Sequence, residues 1–234
     1  MKCLSRDDIE TIARRVWSAY QKLPVHQAQV IDCVDPDVLL VHLLGLNIAY
    51  HHLSVVGDLC GATTRGDGVG MRIYDTPKKP KFFFFDGGTV LIERNLILDA
   101  RLHNKCRFTK AHEAAHQILH MLYPREYGEC ATDRRVHYYR QPNTDDPWEE
   151  WQANTLAAAM LLPEDLIRRN MELVRLPERI PRLNSVYDKD VFLRFTEMAD
   201  MMLVSKMTLA IRMQHLGIVD REYIRNPYAL IDIY

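Results

Sequence analysis

The sequence predicts an α+β fold, in which a small, mostly antiparallel sheet in the middle of the chain is preceded and followed by helices. Three observations carry this expectation. Apolar residues recur at helical spacing near the N-terminus, the middle breaks into short β-rich runs between turn residues, and helical periodicity returns from about residue 107. A chain of 234 residues, 47% hydrophobic and 26% charged, is long and apolar enough to bury a proper core in one substantial domain with an appendage.

The elements follow in order. Ser5 and Asp8 form a capping box, and Ile9, Ile12, Ala13, Val16, Trp17 and Tyr20 line one face of a helix over residues 5–22. Asp35-Pro36 opens a second helix with Pro at its first position, and Gly45 stops it. Residues 46–53, 69–74, 81–85 and 88–93 read as strands, with Asp86-Gly87-Gly88 as a hairpin turn between the last two. A helix over 107–122 follows, then a polar stretch, Tyr123 to Asp145, with little periodicity. Asp146-Pro147 caps another helix that runs to about Leu162. From Glu164 the chain reads as helical, with a Pro-punctuated loop near 175–185. The expected division is residues 1–165, which hold the chemistry, and a helical region over 166–234.

The formal net charge of -1 removes the simplest argument for a nucleic acid or an anionic membrane as partner. Five cysteines, Cys3, Cys33, Cys60, Cys106 and Cys130, are scattered and never form a CxxC pair, which fits a reducing compartment. The first ten residues contain no apolar signal core, and no apolar run approaches the roughly 18 residues of a membrane span. The expectation is a soluble cytoplasmic protein.

The chemistry is concentrated in His112-Glu113-Ala114-Ala115-His116. On a helix, positions i and i+4 share a face, so His112 and His116 can grip one metal ion together. Glu113 sits about 100° round from His112, beside the metal's open position, where it can take a proton from a bound water. Two surface histidines on a solvated helix would read the same way, but Phe108, Ala111, Ala115, Ile118 and Leu119 make this a core helix, where buried polar groups need partners. Zinc, one ion per chain, is the expected cofactor, and metal-dependent peptide hydrolysis is the expected reaction.

A third ligand is required. The metzincin position, ten residues after the first histidine, is Leu122. His120 lies about 12 Å along the helix axis from His112, too far for one tetrahedral ion, and reads as a residue supporting the ligands or packing behind them. Glu150 is the better candidate. Asn154 stands one turn later on the same helix face and can hydrogen-bond the outer nitrogen of a ligand histidine. Glu149 is the alternative ligand, and an exposed helix acid is the reading of Glu150 without chemistry.

The segments FTKAHEAAHQILH (108–120) and EWQANTLAAAMLLP (150–163) together resemble the ImmA/IrrE family of metallopeptidases, and LIERNL (91–96) and DPDVLLVHLLGLNI (35–48) extend the likeness over residues 24–165. The resemblance implies that His112, His116 and Glu150 are zinc ligands and that Glu113 is the catalytic base. It implies a gluzincin-like pair of catalytic helices on the small sheet. It also implies a protein substrate, a helix-turn-helix repressor of a mobile element or stress response. Ala115 in place of the usual Gly, and Thr155-Leu156 in place of an aromatic-containing step, depart from the family pattern without touching a ligand position.

Some assignments stay open at this level. An oxyanion needs a donor, for which His103, His137, Tyr138 and Tyr139 are candidates beside the simpler reading of surface residues. The C-terminal helices, with Ser205 as a cap and Gly217 as a stop, resemble a helix-turn-helix in which Lys206, Arg212 and His215 face a phosphate backbone. The alternative function is therefore a DNA-binding or regulatory protein with a structural metal. Against it, Leu209, Met213 and Leu216 form an ordinary buried stripe. Cys60 reads as a free buried cysteine rather than a thiolate capping the metal.

Overall fold

The computed structural model describes residues 3–27, 29–64, 68–75, 79–124, 136–139 and 147–220. They form an α+β protein that divides into two compact units, Met1–Gln27 with Asp35–Ala157, and Ala28–Val34 with Ala158–Tyr234.

The first unit opens with helix α1, Arg6–Tyr20. Its capping box is complete: the Ser5 hydroxyl accepts from Asp8 N at 3.2 Å, and the Asp8 carboxylate accepts from Ser5 N at 2.9 Å. The helix buries Ile9, Ile12, Ala13, Trp17 and Tyr20, and the Tyr20 hydroxyl accepts from Asp35 N at 2.9 Å. Asp35 caps helix α2, Pro36–Val38, which widens into a π-helical turn over Leu39–Leu43. The chain leaves that turn at Gly45, whose φ of +67° is the left-handed conformation glycine adopts without a Cβ penalty.

Among the described residues the strands are β1 (Asn47–His51), β2 (Gly61–Thr64), β3 (Val69–Ile73), β4 (Lys81–Phe85), β5 (Thr89–Glu93) and, after the helices that follow, β6 (Val136–Tyr139). Four of them form a sheet in the order β1-β5-β2-β6, and β3 with β4 forms a separate antiparallel ribbon. β1 runs parallel to β5, while β2 is antiparallel to both β5 and β6. The mostly antiparallel expectation thus holds for the described pairings, with β1–β5 the exception. Strands β2 and β6 were not expected. β2 is buried at all four positions, so Gly-Ala-Thr-Thr carries no alternation to betray it.

The expected hairpin at Asp86-Gly87-Gly88 is corrected: β4 pairs with β3, and β5 pairs with β1 and β2. The turn carries the chain from ribbon to sheet and is tied to the end of β2. Gly88 N donates to Thr64 O at 3.1 Å, the Thr64 hydroxyl donates to Asp86 O at 2.7 Å, and Thr89 N donates to that hydroxyl at 3.0 Å. β5, buried at all five residues, gains more as a central strand with two neighbours than as one arm of an isolated hairpin. Leu53, Leu59, Ala62, Met71, Ile73 and Leu91 pack into one cluster that joins sheet and ribbon. Each large side chain buried there stabilises by about 1.5–3 kcal/mol.

Helix α3 (Asn95–Leu98) leads to α4 (His103–Leu122), which starts four residues before the expected position because Asp99 caps a preceding 3-10 turn, accepting from Arg101 N at 3.0 Å. α4 is buried almost all round. It is fastened to β2 by Gln117, whose amide donates to the Thr63 hydroxyl and, at 3.2 Å, to Thr64 O. Helix α5, Pro147–Leu161, follows; its expected cap, Asp146, lies outside the described residues. Leu4 N donates to Gln152 Oε1 at 3.3 Å, which fixes the N-terminal segment to α5.

The second unit contains α6 (Glu164–Leu173), α7 (Lys189–Met201) and α8 (Lys206–His215) around buried Leu166, Ile167, Phe195, Met198, Leu209 and Met213. Ser205 caps α8, its hydroxyl accepting from Thr208 N at 3.1 Å. Here one expectation is corrected. Arg212 is 3% exposed, and its Nε donates to Leu162 O at 3.0 Å, so it holds the helices together instead of facing solvent. Lys206 is half-buried with its ammonium over the Phe192 ring, and His215 is exposed. Among the described residues, no helix is long and apolar enough to cross a membrane.

Candidate metal centre

Helices α4 and α5 bring His112, His116 and Glu150 together, with one ligand atom from each lying within 4.8 Å of the others. The two His Nε2 atoms are 2.9 Å apart; Glu150 Oε2 lies 3.4 Å from His112 Nε2, and Glu150 Oε1 lies 3.2 Å from His116 Nε2. Bonds of about 2.1 Å to a tetrahedral ion would set donor atoms about 3.4 Å apart, close to this triangle.

The outer nitrogens decide what the inner ones can do. His112 Nδ1 lies 3.1 Å from Asn154 Oδ1, and an amide oxygen only accepts, so Nδ1 carries the proton. His116 Nδ1 faces Glu149 Oε1 at 3.5 Å, which places its proton on the same outer side. His112 Nε2 then presents its lone pair to His116 Nε2 and to the Glu150 carboxylate, at positions where both histidines are fully buried. The three groups sit together only with a cation between them, either the proton held by His116 or a metal ion in its place, so the residues fit a metal ion.

The electrostatics agree. Burial disfavours charge on His112 and holds its pKa down at about 4, so the ring is neutral and ready to ligate at neutral pH. His116 is also buried, but the carboxylates of Glu149 and Glu150 and the charge of Glu113 outweigh burial and push it up to about 9. Burial would raise Glu150, but its close contacts with His112 and His116 hold it far below the usual carboxylate range.

Glu113 is fully buried beside the cluster. Its carboxylate lies against the backbone of β2: a Cβ on Gly61 would stand 2.7 Å from Glu113 Oε1 and 2.8 Å from Thr109 Cγ2. Gly61 is thus required for this carboxylate to approach the strand, a role that could not be read while β2 itself went unrecognised. Glu149 is the other residue whose place was missed. It is not one of the three converging ligands; one oxygen serves His116 Nδ1 and, at 3.6 Å, His120 Nε2. His120 therefore joins the site through Glu149, behind the ligands. The paired acids of Glu149-Glu150 were the available signal, since adjacent helix residues can address inner and outer nitrogens of the same pair of rings.

The remaining candidates are dispersed. His103 opens α4, exposed, about 13 Å along the axis from His112, where it lines a different cavity. Tyr139, Tyr138 and His137 lie on β6 opposite Gly61, Ala62 and Thr63, the first of these being the residue that meets Glu113; their side chains lie outside what is described. Cys60 is buried and its thiol donates to Asp58 O at 3.7 Å, outside the metal cluster.

No family model matches the chain, and no curated protein matches it in sequence.

Proposed function

We propose that the chain is a zinc-dependent endopeptidase of the ImmA/IrrE type, in which α4 and α5 form a gluzincin-like catalytic pair. The observation that carries this reading is the convergence of His112, His116 and Glu150 with a fully buried glutamate, Glu113, adjacent to the first ligand. A structural site uses four protein ligands, whereas the three found among the described residues would leave a position for a reactant. When bound, zinc would lower the pKa of a water and polarise a peptide carbonyl.

The chain's own residues supply the rest. His112 and His116 bind through Nε2, oriented by Asn154 and Glu149, and Glu150 completes the set. Glu113, pressed against Gly61 and excluded from solvent, takes a proton at a carboxylate oxygen and returns it to the leaving amine. Free thiols at Cys3, Cys33, Cys60 and Cys106 fit a reducing cytoplasm.

The substrate we propose is a helix-turn-helix repressor cut at one or two positions, on the resemblance of residues 108–120 and 150–163 to that family. Mixing the zinc-loaded protein with the repressor from its own genomic neighbourhood and with unfolded casein, with and without chelator, separates this from general digestion. Discrete repressor fragments that vanish on chelation support it. An intact repressor beside casein reduced to many peptides rules it out.

A further inference from the structure

Among the described residues β4 has a neighbouring strand on one side only. It pairs with β3 along all five residues, Lys81 to Phe85 against Ile73 to Val69, in a regular register without a bulge. β3 is the strand tied to the sheet, Tyr74 N donating to His52 O at 2.8 Å just beyond its end. On one face of the ribbon lie Phe82 and Phe84, 61% and 72% exposed, their rings edge to face with centroids 5.6 Å apart. The Phe82 ring covers Gly70, where a Cβ would run into it. Phe83 points the other way, its ring 5.8 Å from that of His51, and is still 39% exposed.

Alternate residues of such a strand turn their N–H and C=O groups away from β3, a row that another extended backbone satisfies in full. Proteins guard edges of this kind with bulges, prolines or charges inside the strand, and β4 has none of these between Phe82 and Phe85. The charges at its two ends select the partner. Lys79 and Lys81 stand before the phenylalanines and Asp86 after them, all three exposed. A second β4 laid antiparallel brings the basic start of each copy beside the acidic end of the other, whereas a parallel one sets like charges together. With Phe83 on the twofold axis, Phe82 faces Phe84 of the second copy, an aromatic cross-strand pair on each side of the axis. The same register sets Lys81 opposite Phe85 and next to Asp86 of the second copy.

We propose that β4 pairs antiparallel, edge to edge, with β4 of a second copy of this chain, so that two ribbons join in one four-stranded sheet. The contact is isologous, so it uses up both edges and stops at two copies. Two five-residue strands make an interface at the small end of the specific range, which sets the expected Kd at about 1–100 µM. Ribbon and metal cluster share no residue, and the proposal does not depend on the chain being a peptidase.

Sedimentation velocity of the full chain from about 1 to about 500 µM should show a reversible monomer–dimer equilibrium and no larger species. Phe84→Lys, at a position too exposed to disturb the fold, should weaken the dimer about tenfold or more. Lys81→Glu and Asp86→Lys should each weaken it about three- to tenfold, and the double exchange, which restores opposite charges at the two ends, should recover most of that loss. A carbodiimide should join Lys81 to Asp86 between isotope-labelled and unlabelled chains in a mixed sample; within one chain the two lie about 17 Å apart along the strand, too far for a zero-length link. Vesicles of phosphatidylserine and phosphatidylcholine offer the exposed phenylalanines a lipid surface instead. A chain that stays monomeric over the whole range, a dimer unchanged by Phe84→Lys, no recovery in the double exchange, or a monomer that binds the vesicles through Phe84 in place of dimerising overturns the proposal.

Discussion

Asn154 Oδ1 lies 3.1 Å from His112 Nδ1, linking α5 to α4 directly behind a metal-ligand position. This contact fixes the tautomer that turns the His112 Nε2 lone pair inward. Asn154→Ala should therefore lower zinc affinity roughly 10- to 100-fold while circular dichroism stays native. Unchanged affinity in a chelator competition would show that His112 is oriented by something else.

Glu150 and Glu149 are neighbours with different assignments. Glu150→Ala should lose most of the metal. Glu149→Gln should retain it at saturating zinc, with affinity reduced by about tenfold, because only the partner of an outer nitrogen is altered. Metal analysis of both variants checks this. Full occupancy in Glu150→Ala together with loss in Glu149→Ala would reverse the two roles.

Gly61→Ala places a methyl group 2.7 Å from Glu113 Oε1 and 2.8 Å from Thr109 Cγ2, so a neighbour must give way. The Glu113 carboxylate is the more mobile of the two, and its displacement should reduce turnover by one to two orders of magnitude. Zinc content should stay near one per chain, since no ligand is touched. A variant with wild-type turnover would mean that the approach of Glu113 to β2 is incidental.

His116 has a pKa of about 9, because Glu149, Glu150 and Glu113 outweigh the effect of burial, whereas His112 stays neutral with a pKa of about 4. At neutral pH a metal must then displace one proton from His116. Apparent zinc affinity should rise by about tenfold per pH unit through pH 7 and 8 and level off towards pH 9, with about one proton released per ion bound. Calorimetry in buffers of different ionisation enthalpy measures the proton count, and a pH-independent affinity would contradict the coupling.

How much of this was legible in the sequence depended on whether a feature declares itself locally. The capping box at Ser5, the i, i+4 histidines and the helix bearing Glu150 and Asn154 each carry their signal within one turn or one helix, and each is legible in the sequence alone. Strand β2 did not announce itself, because a strand buried on both faces shows no alternation and Gly-Ala-Thr-Thr is weakly apolar. The same blindness hid Gly61, and it made Asp86-Gly87-Gly88 look like a hairpin when its partners are Thr64 and β2. Arg212 was read as exposed because charge alone implies solvent, but a long side chain can satisfy its donors on a distant carbonyl, here Leu162 O. Glu149 shows the limit of ligand counting: the acid next to the candidate ligand Glu150 faces the ring nitrogen of His116 that points away from the cluster.

The most direct test of the proposed chemistry is fragment mass spectrometry on the repressor after incubation with wild-type and Glu113→Gln protein, both confirmed to hold one zinc. Glu113 is assigned to moving a proton and not to coordination, so the variant should fold and bind metal like the wild type, yet yield no fragments above the rate of a chelated control. Repressor fragments appearing at the wild-type rate in Glu113→Gln would contradict the mechanism, and loss of zinc from that variant would contradict the division between ligand and base.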